Sequence, residues 1–295
     1  MNFLITGAWG QANEFINWFN KMGHNVVFMQ YEKDELPCDY LWVEGIIGNG
    51  IFLSHDIEKF KNLKYIQLTS AGYDRVPMSY VKSHNITINN ARGVYSIPMA
   101  EYAVASVLSL YKKQAFFYDN QRKHIWEKNR NIKELSEETV CILGCGSVGT
   151  ECAKRFKAMG CTVYGIDISK IDFYDGCYTL DNAEEIFSKV DIVIITLPLT
   201  EQTKHMFNRD MFSIMKNQSV IVNISRGAIV EIDALVEALK TKLFGAVLDV
   251  FENEPLSECE LWDMNNVIIT PHNSFCGNNN NKRLSELIKK NLESL

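Results

Sequence analysis

Apolar runs of strand length recur along the chain, and most are separated by stretches with helical spacing or polar character. Strands are expected at 2–7 (NFLITG), Val26 to Met29, Trp42 to Ile47, Lys64 to Leu68 and Ile86 to Ile88. They are expected again from Thr139 and at Thr162 to Ile166, Asp191 to Leu197, Ser219 to Ile224, Phe244 to Val250 and Asn266 to Thr270. Such alternation implies parallel sheets joined by crossover helices, a small one first and then a complete doubly wound one of six strands. Helices are expected at Asn13 to Met22 and at Ser96 to Lys113. The second has a dense face of Ala, Val and Leu, too hydrophobic for solvent, so it should pack on the second domain or on another subunit. Gln114 to Lys133 is charged and aromatic without a clear period and reads as a connecting arm.

The pattern is most informative from Thr139 to Asp167, TVCILGCGSVGTECAKRFKAMGCTVYGID. An apolar strand runs into Gly144, Gly146 and Gly149, which fill the GxGxxG positions. The first permits a tight turn, the second lets backbone approach a pyrophosphate, and the third lets helix pack on strand. The helix N-terminus at Ser147 and Val148 then offers unpaired N–H groups to phosphate. Cys152, Phe156 and Met159 give that helix an apolar stripe, and Gly160 stands where it should stop. Asp167 follows the next strand at a distance suited to an adenosine ribose, and its charge opposes a 2′-phosphate. Lys170 is close enough to soften that preference for NAD over NADP.

Two other glycine turns are less telling. Gly7 and Gly10 begin a second nucleotide-like motif, but Asn13 stands at its third glycine position and no acidic residue follows the next strand at the expected place. An ordinary turn before a helix is the better reading. Thr69 to Asp74, TSAGYD, leaves the backbone N–H groups of Ala71 and Gly72 accessible to an anion, yet a turn capped by Ser70 accounts for it locally.

With 295 residues, 46% of them hydrophobic, the chain can bury a large core in two domains. A formal charge of −6 argues against nucleic acid as a partner. No apolar run reaches the roughly 18 residues of a membrane span, and the N-terminus enters strand-like sequence directly, so a cytoplasmic protein is expected. Eight cysteines in such a chain read as reduced thiols. Cys141, Cys145 and Cys152 lack the paired CxxC spacing of a zinc site, and no metal is expected. Cys145, beside a helix N-terminus, is either a reactive thiol or a packing residue.

In a doubly wound sheet, ligands lie beyond the carboxyl ends of the strands. The residues there include Pro198, Ile224 and Arg226, then Asp249 and Glu254, then His272. Each has an ordinary surface explanation alone. Together they bring a cation, two carboxylates and an imidazole to one edge.

In order and spacing the chain resembles the D-isomer-specific 2-hydroxyacid dehydrogenase family. The resemblance rests on LGCGSVG at 143–149, Asp167, LPLTEQT at 197–203, NISRG at 223–227, ALVEAL at 234–239, GAVLDVFENEPL at 245–256 and VIITPH at 267–272. SAGYD at 70–74 and GVYSIPMAE at 93–101 match more loosely. It implies two doubly wound α/β domains, a Rossmann NAD-binding domain (97–272) inserted into a flavodoxin-like substrate domain (1–96 plus 273–295). A homodimer through the helix at Pro98 to Lys113 is implied as well.

The resemblance also implies roles. Arg226 orients the carboxylate of a small D-2-hydroxy acid or 2-oxo acid, His272 is general acid and base, and Glu254 is its partner. Ala71 and Gly72 receive the substrate carboxylate on their backbone. Pro198, Thr203 and Ile224 line the dinucleotide with the glycine turn, and Asp249 contacts the nicotinamide amide. The family also contains dinucleotide-sensing corepressors and formate-oxidising members, which are alternatives for this chain. Asn273 to Cys276 and the asparagine run 278–281 depart from the family's usual small or apolar residues.

Overall fold

A computed structural model describes residues 1–169, 171–293 and 295. The chain divides into two compact units, Met1–Tyr95 with Gly277–Leu295, and Ser96–Cys276.

The first unit holds five strands, β1 (Asn2–Thr6), β2 (Asn25–Met29), β3 (Gly45–Gly48), β4 (Tyr65–Leu68) and β5 (Thr87–Asn89). All pair in parallel in the order β2-β1-β3-β4-β5, the flavodoxin-like arrangement. Every residue of β3 and β4 is buried, because helices and loops cover both faces, so these strands read as continuous rather than alternating apolar runs. Leu4, Ile46, Ile66 and Leu68 pack on one face. Phe3, Ile5, Ile47 and Tyr65 pack on the other, with Trp9, Phe19 and Leu284, Ile288 and Leu292 of the terminal helix Asn280–Leu292. Trp9 Nε1 donates to Ser285 Oγ (2.9 Å), and Asn291 Nδ2 donates to Gln67 Oε1 (2.8 Å). Both ends of the chain therefore build one core.

The second unit holds β6 (Thr139–Leu143), β7 (Thr162–Ile166), β8 (Gly176–Tyr178), β9 (Ile192–Ile195), β10 (Val220–Asn223), β11 (Gly245–Leu248) and β12 (Val267–Ile269). Their order is β12-β11-β10-β9-β6-β7-β8, all parallel, which is the Rossmann order with one strand more than the expected six. The strand without an apolar run to announce it is β8, three half-buried residues beginning with glycine. Strand order reverses between β6 and β9, and the glycine turn after β6 lies at that switch point.

Three expectations are corrected here. On the helix Ser147–Ala158 the buried residues are Gly149, Cys152, Ala153 and Phe156, whereas Met159 lies past its end and is 43% exposed. The arm after 113 begins as a helix, Gln114–Arg122, whose one buried residue is Asn120, so no apolar period marks it. The return to the first unit follows Cys276 rather than His272, because Asn273 and Ser274 are tied by their backbone N–H groups to Asp249. The helix Ser96–Tyr111 packs Ala103, Val107 and Tyr111 into the core of the second unit with Cys152 and Phe156.

Candidate active site

The glycine turn has the shape its sequence requires. Gly144 has φ +92°, and a Cβ there would meet Leu197 N at 3.0 Å. A Cβ on Gly149 would lie 2.0 Å from Gly144 O, so only glycine lets helix and strand approach. Nothing lies within 4 Å of the position a Gly146 Cβ would take. That open space faces the first turn of a helix whose N-cap, Gly146, has no side chain to satisfy the N–H groups beyond it. Asp167, just after β7, accepts from Cys145 N at 2.7 Å through Oδ2 and from Ser169 N at 3.2 Å through Oδ1. Its carboxylate is thereby pinned to the turn with lone pairs remaining for further donors. Cys145 is buried beside Gly165, and burial pushes its thiol up to about 12. Of its two readings, packing prevails. Lys170 lies outside the described residues.

Further along the same sheet edge, Pro198 is exposed while Thr203 is 4% exposed. The Thr203 hydroxyl donates to Pro198 O (2.9 Å) and accepts from Thr200 N (2.8 Å), so it knots its own loop. After β10, Ile224 is buried and Arg226 half-buried. Asn223 holds this turn, donating from Nδ2 to Arg226 O (2.9 Å) and accepting at Oδ1 from Ser225 N and Oγ (both 3.1 Å). Arg226 Nη1 donates to Ser225 O at 2.8 Å. A Cβ on Gly227 would fall 1.9 Å from the Phe251 carbonyl carbon, so the arginine turn lies directly against the turn after β11.

On that turn Glu254 Oε1 accepts from Phe251 N (3.0 Å), and Oε2 faces His272 Nδ1 at 2.9 Å. His272 has φ +52°, a conformation that needs support in a non-glycine residue. Asp249, 1% exposed, provides it: its carbonyl accepts from His272 N (2.7 Å). Its Oδ1 accepts from Thr270 Oγ1 (2.6 Å) and Asn273 N (2.7 Å), and its Oδ2 accepts from Ser274 N (3.0 Å). The Tyr102 hydroxyl meets Thr270 Oγ1 at 2.7 Å. The Asp249 carboxylate thus faces inward, into the histidine turn. With Nδ1 against a carboxylate, the other ring nitrogen of this half-exposed imidazole is the one left for chemistry. Phe275 stands edge-on to the ring, centroids 6.2 Å apart.

In the first unit, Ser70 Oγ donates to Gly72 O (3.2 Å) and Asn90 Nδ2 donates to Ala71 O (2.6 Å). These bonds use the carbonyls of the turn. Among the described residues, no bond takes up the N–H of Ala71 or Gly72.

The model of the D-isomer specific 2-hydroxyacid dehydrogenase NAD-binding domain matches residues 104–274. The chain belongs to this family. It is 31% identical over 233 residues to the D-3-phosphoglycerate dehydrogenase of Methanocaldococcus jannaschii, a match covering 77% of this chain and 44% of that protein. The chain therefore spans less than half of that relative. It is 31% identical over 264 residues to the hydroxypyruvate reductase of Thermotoga maritima, covering 86% of this chain and 85% of the relative. The D-lactate dehydrogenase of Aquifex aeolicus, solved with NAD and lactic acid, superposes with a TM-score of 0.82 at 25% identity, covering 99% and 95% of the two chains.

As a D-2-hydroxyacid dehydrogenase the chain is an NAD-dependent oxidoreductase of CH–OH groups, and the cradle over Gly146 fits the pyrophosphate such a cofactor carries. Three supporting residues escaped the sequence reading: Asn223, Thr270 and Tyr102. They carry no charge, and only their partners reveal them. Among the described residues no group of three His, Cys, Asp or Glu is placed to hold a metal, and no helix is long and apolar enough to cross a membrane.

Proposed function

We propose that the protein reduces a small 2-oxo acid to the D-2-hydroxy acid. The observation that carries this reading is the 2.9 Å pair of His272 and Glu254, held beside Arg226 by the packing of Gly227 on Phe251. The Arg226 guanidinium orients the substrate's carboxylate and adjacent carbonyl oxygen. Bound along the same sheet edge, NADH supplies the hydride. His272 donates the proton to the carbonyl oxygen from Nε2, while Glu254 fixes the ring through Nδ1. Asp249 contacts the nicotinamide amide, and its bonds to Thr270, Asn273 and Ser274 also position the histidine turn.

Gly146, Ser147 and Val148 take the pyrophosphate and Asp167 the adenosine ribose, which favours NAD over NADP. Gly144 and Gly149 shape that turn, and Ile224, with Pro198 held by Thr203, lines the dinucleotide. The first unit serves the substrate, with the free N–H groups of Ala71 and Gly72 assigned to its carboxylate. A homodimer fits the arm after Tyr111, where Tyr118, Ile125 and Trp126 are 57%, 47% and 97% exposed. Eight free cysteines suit a reducing, cytoplasmic setting.

The test is NADH oxidation across glyoxylate, pyruvate, hydroxypyruvate, phenylpyruvate and branched 2-oxo acids. Turnover is expected to fall at least about 100-fold in His272→Ala with NADH affinity retained. Tight NADH binding without turnover of any 2-oxo acid would instead support a dinucleotide sensor.

A further inference from the structure

At the rim of the first sheet, the turns after β3 and β4 lie side by side, since Gly48 pairs with Leu68. The turn after β4 holds Ala71 and Gly72 and ends one residue before Arg75. The turn after β3 is Asn49–Gly50, and a Cβ on Gly50 would stand 3.4 Å from Arg75 Cδ, an ordinary packing distance. The arginine stem thus lies over backbone that carries no side chain, with its head in solvent. Glu32, whose Oε2 would lie 3.5 Å from the same Gly50 Cβ, is already engaged. It accepts from Thr6 Oγ1 (2.8 Å), Asn49 N (2.6 Å) and Gly50 N (2.6 Å), and three donors aimed at it offset much of its field. Among the described residues Arg75 has no hydrogen bond or ion pair. A guanidinium with all its donors available therefore stands beside the turn assigned to the substrate carboxylate.

Resting on the proposed reduction of a 2-oxo acid, we infer that Arg75 is a specificity residue for substrates whose far end carries a second anionic group, a carboxylate or a phosphate. The Ala71 and Gly72 N–H groups hold the first carboxylate, and Arg75 reads the other end. Because the contact is made equally before and during hydride transfer, it acts on KM rather than kcat.

Steady-state reduction of matched pairs tests this: 2-oxobutyrate against oxaloacetate, 2-oxovalerate against 2-oxoglutarate, and hydroxypyruvate against phosphohydroxypyruvate. At least one dianion is expected to exceed its partner about tenfold in kcat/KM. The pair showing it identifies carboxylate or phosphate. Arg75→Ala is expected to erase that preference by raising KM for the dianion, with the monoanion's kcat/KM within about twofold, and Arg75→Lys to restore part of it. The preference should also shrink with added salt. Turnover of monoanions with no preference for any dianion, or a preference that survives in Arg75→Ala, overturns the role of Arg75 while leaving the reductase reading intact. Absence of turnover with every 2-oxo acid removes both.

Discussion

Each unit contains a strand, a glycine turn and a helix in succession, and the two turns have opposite fates. After β6 the space over Gly146 is empty to 4 Å, the helix start has no side-chain cap, and Asp167 braces the turn through Cys145 N. After β1 the corresponding space is filled. A Cβ on Gly7 would meet Gln30 O at 2.4 Å, one on Gly10 would meet Asn281 at 3.0 Å, and Trp9 is buried at 1% exposure. Glu32, three residues past β2, spends its carboxylate on Thr6 and on the turn after β3. A glycine turn therefore becomes an anion cradle only where neighbouring elements leave room above it. The first serves the fold, and the second serves a ligand.

The largest effect should come from filling the open cradle. Gly146→Leu is expected to weaken NADH binding at least about 100-fold by calorimetry, while thermal unfolding changes little because the added carbons enter free space. Gly7→Ala should do the reverse. Its methyl has no room beside Gln30, so a loss of about 1–3 kcal/mol in denaturant unfolding is expected with NADH affinity unchanged. A drop in NADH affinity in that variant would contradict the contrast.

Asp167→Ala sharpens it further. About tenfold weaker NADH binding is expected, with a smaller change for NADPH, because the lost carboxylate both accepts from ribose hydroxyls and repels a 2′-phosphate. The smallest effect concerns the thiol inside the cradle. Its raised value, about 12, means that Cys145 loses its proton only as pH rises toward that range. At pH 8 its thiolate fraction is on the order of one in ten thousand. Brief alkylation at pH 8, read by mass spectrometry, should label exposed Cys276 well before Cys145. Equal labelling would show that the turn opens.

Much of the candidate site was legible from strand ends alone. Arg226, Glu254 and His272 stand out because each follows an apolar strand, and a charged or titratable residue at such a place is conspicuous. Asp249 shows the limit. Its place after a strand was legible, but its burial and its bonds to Thr270, Asn273 and Ser274, which tie it to the histidine turn, were not. Partners distant in sequence decide what a carboxylate faces, and no local pattern records them. Met159 fails similarly, since an apolar spacing says which residues share a stripe and not where the helix ends.

By itself, then, the sequence determined the alternation of elements, the glycine turn at 144–149, the acidic residue after β7 and the residues delivered to the sheet edge. These follow from backbone sterics and apolar periodicity, which act over a few residues. Only the tertiary structure decided that the terminal helix completes the first core, that one glycine turn is open and the other filled, and that the histidine's left-handed backbone is held by a buried carboxylate. Each depends on close approach between segments far apart in the chain, where a single Cβ or one hydrogen bond settles the outcome.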